Sequence, residues 1–205
     1  MTPEYITKTL PSNFDEMVAA MLRCEQTKGQ SVYQHGQSVC KYFLHLLDHI
    51  NGGYSLDGWK LPDWFAGYAD DLVSNIHDES IIREYTLYHD CGKPFCESDG
   101  RFPNHVEAST YVWSLVGGNE IVRRLIANDM VFHTATAEEI KHKMENEWSI
   151  KDACTLYLAA LSEIHSNAKM FGGIESQSFK IKWKQLERRG KQICKHYFGI
   201  LEVLK

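Results

Sequence analysis

Apolar positions recur at three- and four-residue intervals over most of the chain, and nowhere with the strict two-residue alternation of a half-buried strand. The pattern predicts an all-α protein. A first helix is expected over residues 12–28, capped by Ser12 or Asn13, with Phe14, Met17, Met21 and Leu22 on its apolar side and Gly29 at its end. A second runs from about Ser31 to Ile50, turning Val32, Val39, Phe43, Leu46 and Leu47 toward a core and carrying His35 on the neighbouring face. Asn51-Gly52-Gly53 stops it. Pro62 makes Trp59–Trp64 an irregular entry to the next helix, and both tryptophans read as packing residues. Asp78 can cap a helix through Ile81, Ile82, Tyr85 and Leu87 that delivers His89 and Asp90 at its end. Gly92 and Pro94 then turn the chain, and Asn104 can cap the helix that begins with His105. Further helices are expected at about 118–131, 136–146, 149–170 and 177–198.

A chain of 205 residues with 43% hydrophobic content can bury a sizeable core, and no internal repeat or low-complexity linker divides it, so one domain over 1–205 is the economical expectation. A formal charge of −5 argues against nucleic-acid binding by the whole surface while leaving room for a local basic track. The segment Met1–Lys8 lacks the apolar run of a secretion signal and no later stretch is long enough to span a membrane, which predicts a cytoplasmic protein without membrane contact. The six cysteines show no paired metal-finger spacing, and Cys91 and Cys96 are not a Cys-x-x-Cys pair. Reduced, packed thiols are expected.

Chemistry concentrates around His89-Asp90. An imidazole beside a carboxylate supplies two ligands from one backbone point, and mixed nitrogen and oxygen ligands suit a divalent metal that activates water. Four motifs follow one another: Tyr33-Gln34-His35-Gly36, then His89-Asp90-Cys91-Gly92-Lys93-Pro94, then Phe102-Pro103-Asn104-His105, then Phe132-His133. In this order they resemble the HD-domain metal-dependent phosphohydrolases, and locally the HD portion of bacterial tRNA nucleotidyltransferases. The resemblance spans roughly residues 30 to 170 and is strongest over 85 to 112; no nucleotidyltransferase head is expected ahead of it.

That resemblance implies an all-helical fold, a single HD-type domain, in which His35, His89 and Asp90 bind a first ion while His105 and His133 serve a second, with Asp90 bridging. Asp129 is an alternative to His133. Family members usually close the first site with a late aspartate, whereas the last aspartate here is Asp152, which comes too early; Glu163 stands at the equivalent place in a helical segment. The implied cofactor is one or two ions of Mn, Fe, Co, Ni or Zn, with Mg also admissible. Catalytic roles fall to Asp90, Lys93 and His105, and substrate contacts to Lys93, Asn167 and Lys169, with Arg101 a further cation. His165, two residues from Glu163, points elsewhere on its helix and is left out. The expected substrate is a nucleotide or RNA-end phosphoester, cleaved as a phosphomonoester or a 2′,3′-cyclic phosphodiester. Deoxynucleoside triphosphate hydrolysis and a catalytically degenerate nucleotide- or RNA-binding module are the alternatives, and homo-oligomerisation stays open.

The last helix aligns Lys180, Lys184, Arg188, Lys191 and Lys195 on one face and Trp183, Leu186, Ile193 and Tyr197 on another. Two readings stand side by side. The charges keep an outer face wet, or they attract phosphate or RNA.

Overall fold

A computed structural model describes residues 9–96 and 104–199. The predicted loop at 97–101, Arg101 within it, Phe102 and the segment 1–8 lie outside the described residues. In chain order the elements are α1 (Phe14–Arg23), β1 (Glu25–Thr27), β2 (Gln30–Ser31), α2 (Val32–Gly52), α3 (Ala69–Ser74), α4 (Glu79–Tyr88), α5 (His105–Leu115), α6 (Glu120–Ala127), α7 (Val131–Thr134), α8 (Ala137–Asn146), α9 (Ile150–Ser166) and α10 (Gln177–Phe198), with short 3-10 turns at Phe65–Gly67, Lys93–Phe95 and Ala168–Phe171. The fold is all-α. No helix among the described residues is long and apolar enough to cross a membrane.

Polar caps set the helix starts. Asn13, Asn104, Asn119 and Ser176 each accept a backbone N–H from the first turn of α1, α5, α6 and α10, and Thr136 and Ser149 close reciprocal capping boxes with Glu139 and Asp152. Ser31 and Gln34 make the same reciprocal pair ahead of α2: the Ser31 hydroxyl accepts from the Gln34 N–H at 3.2 Å and the Gln34 side chain accepts from the Ser31 N–H at 2.9 Å.

The residues group into two compact units, Met1–Ser38 with Glu79–Asp129 and Val39–Asp78 with Met130–Lys205. In the first, Met17 and Met21 of α1, Ile82 and Tyr85 of α4, Val112 and Trp113 of α5 and Val122, Leu125 and Ile126 of α6 form the core. Here the expected first helix is too long. It stops at Arg23, Phe14 and Leu22 are 38% and 53% exposed, and residues 25–31 form a small antiparallel hairpin with Gly29 at φ 80° in its turn. The hairpin's few polar residues carry no strand alternation, so helical spacing ran on through them.

In the second unit α9 is buried on nearly every side, with Ala153, Leu156, Tyr157, Ala160, Leu161 and Ile164 all in the core as the periodicity requires. α10 lies against it where Gly190 leaves room for the Tyr157 ring; a Cβ at that glycine would stand 2.2 Å from Tyr157 Cζ. The 59–64 stretch is held by His165. Its Nε2 accepts the Lys60 backbone N–H at 3.0 Å, its Nδ1–H donates to the Leu161 carbonyl, and the ring stacks on Trp59 at 4.2 Å. Trp183 Nε1 donates to the Lys60 carbonyl at 2.6 Å, completing the clasp. Trp59 is thus a packing residue, and His165 serves the core.

Because the His165 Nε2 lone pair is an acceptor in a buried setting, a second proton is costly: burial lowers its pKa from 6.5 to about 4, against the smaller opposing effects of the Leu161 and Lys60 backbone groups. The unfolded chain therefore binds this proton first as pH falls, so the stability is present above about pH 6.5 and drains away between there and pH 4, approaching about 3 kcal/mol. His165→Gln keeps an acceptor without the titration, and its Tm against pH should be flatter than the parent's across that window. Parallel curves would remove His165 as the cause.

Candidate functional site

The site in the first unit begins with two glycines. Gly36 sits one residue after His35 on α2, and a Cβ there would stand 2.1 Å from the Leu87 carbonyl oxygen of α4. Only hydrogen permits that approach, and it brings His35 to His89, two residues beyond Leu87. Gly92 does the same for α5: a Cβ would fall 2.0 Å from the Ser109 nitrogen, and the Gly92 N–H donates to Ser109 Oγ at 2.9 Å. The turn after Asp90 is thereby pinned to the helix whose first residue is His105.

Asp90 lies at the centre, 2% exposed. Its Oδ2 is 3.3 Å from His89 Nε2, 3.6 Å from His35 Nε2 and 2.6 Å from Lys93 Nζ, while Oδ1 is 3.8 Å from His105 Nε2. His89 Nδ1 lies 2.9 Å from the Thr86 carbonyl, which can only accept; Nδ1 therefore carries hydrogen, and Nε2 directs its lone pair or a second proton toward Asp90. Burial alone would raise the Asp90 carboxyl, but the His89 charge and hydrogen bond, then Lys93 and His35, outweigh it and hold the group well below the usual carboxylate range.

Lys93 is itself held. Its ammonium donates to Gln26 Oε1 at 3.0 Å as well as to Asp90. Gln26 sits at the irregularity in the hairpin register between Glu25 and Thr27, the kind of bulge that re-aims a side chain. It is absent from the sequence-based set, and its only local signal is the Lys28-Gly29 turn that makes the hairpin. Asp129, the alternative ligand, accepts the Tyr85 hydroxyl at 2.6 Å, and both are buried. Cys91 donates to the Ser109 carbonyl at 3.4 Å and burial pushes its thiol up, so it is packing rather than a thiolate nucleophile.

In the second unit His133 Nε2 meets Glu163 Oε2 at 3.1 Å, both partly buried. Asn167 caps the end of α9 through its backbone N–H to the Glu163 carbonyl, and Lys169 is exposed on the following turn. Asp152 is fully engaged as a structural group. It accepts from the Ser149 N–H and hydroxyl at the start of α9 and pairs with His77 Nε2 at 2.8 Å, while the His77 N–H donates to Thr155.

The donor set of the first unit fits a divalent ion. Ligands about 2.1 Å from a tetrahedral centre lie about 3.4 Å from one another, and the two Nε2–Oδ2 separations are 3.3 and 3.6 Å. His35 and His89 each offer a ligand atom, and these lie within 4.8 Å of one another.

Asp152→Asn should lower stability by about 1–2 kcal/mol through the weakened His77 contact and cap, with metal content unchanged; metal loss with unaltered Tm would reverse that assignment. In an ordinary helix Gly→Ala gains up to about 1 kcal/mol, yet Gly36→Ala should cost about 1–3 kcal/mol by overpacking against Leu87. A higher Tm in that variant would refute the close approach. No family model matches the chain, and no curated protein or solved structure matches it.

Proposed function

We propose that the chain is a metal-dependent phosphohydrolase of the HD type, acting on the phosphoester of a nucleotide or an RNA end. The observation that carries this is the convergence of His35 Nε2 and His89 Nε2 on the buried Asp90 Oδ2. Two imidazole lone pairs and a carboxylate oxygen packed this closely call for a cation, and the order of the motifs around them supports the same reading. His35, His89 and Asp90 would hold the ion. When bound, a divalent metal lowers the pKa of water and polarises a phosphoryl oxygen.

The remaining roles belong to the chain. Thr86 fixes the His89 ring through its carbonyl, so the ligand atom is oriented in advance. Lys93, a quarter exposed, sets a positive charge beside Asp90, where it would meet the equatorial oxygens of a phosphoryl group. Gln26 keeps that ammonium in place. His105, 3.8 Å from Asp90 Oδ1 and about one third exposed, would deliver a proton to the departing ester oxygen. In the overall reaction water oxygen forms the new P–O bond, the ester P–O bond breaks, and one proton ends on the leaving alcohol.

Purified protein should retain a divalent transition metal, and simultaneous H89A and D90A should remove it with the helical circular dichroism kept. Unchanged metal content in the double variant would sink the assignment. The reaction is read from products: orthophosphate from a monophosphate or ring opening of a 2′,3′-cyclic phosphate is expected, tripolyphosphate from a deoxynucleoside triphosphate would move the protein to that class, and metal without turnover on any of them would leave a binding module. Lys93→Gln should depress kcat more than 10-fold while metal content stays near the parent's.

A further inference from the structure

α10 carries five lysines and two arginines against the single Glu187, so it bears +6 in a chain of −5, which leaves −11 for everything else. Charge is therefore sorted along the sequence rather than mixed. Phe179, Trp183, Leu186 and Ile193 are buried on the inner side of the helix, and Lys184, Arg188, Lys191 and Lys195 are exposed along the outer one. From Lys184 to Lys195 the row runs 11 residue steps, about 16 Å at the helical rise. Among the described residues they form no ion pair, in contrast with Lys180, which is tied to Glu175 at 2.8 Å.

A groove of about 260 Å³ opens beside this row, lined by Thr136, Gln185, Arg188, Arg189 and Gln192. Its floor is fixed. Arg189 donates to the Phe132 and Ala135 carbonyls, Gln185 to the His133 carbonyl at 3.2 Å and Gln192 to the Ala137 carbonyl at 2.8 Å. The two adjacent guanidiniums repel, and burial followed by the Arg188 charge lowers the Arg189 pKa against the weaker pull of Glu139. An anion in the groove would offset that repulsion.

We infer that the outer face of α10 and this groove form a docking track for the phosphate backbone of a single-stranded RNA. A single row of cations on a convex helix meets one strand, and the backbone supplies the repeated charge that a mononucleotide lacks. A membrane surface is the weaker match. Its binding needs apolar side chains to insert, and Ile181 is the one large apolar residue exposed on the described part of α10. The track extends the phosphoester reading but does not require it, since RNA is held here by charge in the absence of any metal.

The test is fluorescence anisotropy of a labelled 12-nucleotide oligouridine with the full chain in chelator, over 50 to 200 mM salt. Four phosphate contacts predict a slope of log K against log salt near −3, or about 50-fold weaker binding across that range. The triple variant K184Q/R188Q/K191Q should flatten the slope by about 2, and R188Q alone, should the triple not fold, by about 0.7. Neutralising three exposed lysines elsewhere, K28Q/K41Q/K151Q, should leave the slope as it is. Equal slopes in parent and triple variant would overturn the track, as would absence of binding at 50 mM salt, or capture by phosphatidylserine vesicles in preference to the RNA. Loss of metal or of hydrolysis leaves this result untouched, so the two readings fail separately.

Discussion

A carboxylate withdrawn from water must be compensated, and the first unit is organised around that demand at Asp90. Leaving an ionised group buried and unpaired costs several kcal/mol, more than one favourable contact elsewhere returns. Asp90 is met by Lys93 at 2.6 Å and faces the Nε2 atoms of His89 and His35. Each of those neighbours depends on something further out. His89 is turned by the Thr86 carbonyl, Lys93 by Gln26 on the hairpin bulge, and His35 by the missing side chain at Gly36. The cluster is thus specified by backbone shape as much as by its own residues.

The same side chain does opposite work in the two units, and its partners decide which. His35 and His89 turn their Nε2 atoms toward a buried carboxylate, 3.6 and 3.3 Å from Asp90 Oδ2. His165 faces a backbone N–H with its Nε2, and burial keeps it neutral down to about pH 4. Neither role follows from being a histidine on an amphipathic helix; both follow from whether the element opposite offers a carboxylate or a donor.

This is also why part of the protein was legible in its sequence and part was not. Helices were readable because periodic burial is a local property: Asn13 and Asn104 cap where expected, and α8, α9 and α10 start within a residue or two of their predicted positions. The grouping of His35, His89, Asp90, Lys93 and His105 was readable from motif order. The hairpin was not, since six polar residues and a glycine hold no strand pattern, and with it went Gln26. Nor was the work of Asp152 fully apparent, because its partner His77 is 75 positions away and nothing near it in the chain advertises the pairing. Phe14 and Leu22 have helical spacing yet remain exposed, a reminder that spacing names a face without saying what covers it.

Gly36 sets helical propensity against site geometry. Glycine weakens the opening turns of α2, and the Ser31–Gln34 capping box strengthens the same turns from outside. Selection for helix stability alone would favour alanine there, and an engineer seeking thermostability would choose the same substitution. Both routes close the space through which α4 approaches. The unit of heredity for this cluster is therefore His-Gly as much as His-Asp: a descendant that kept every donor atom but lost the glycine would retain the donors and lose the close approach that groups them.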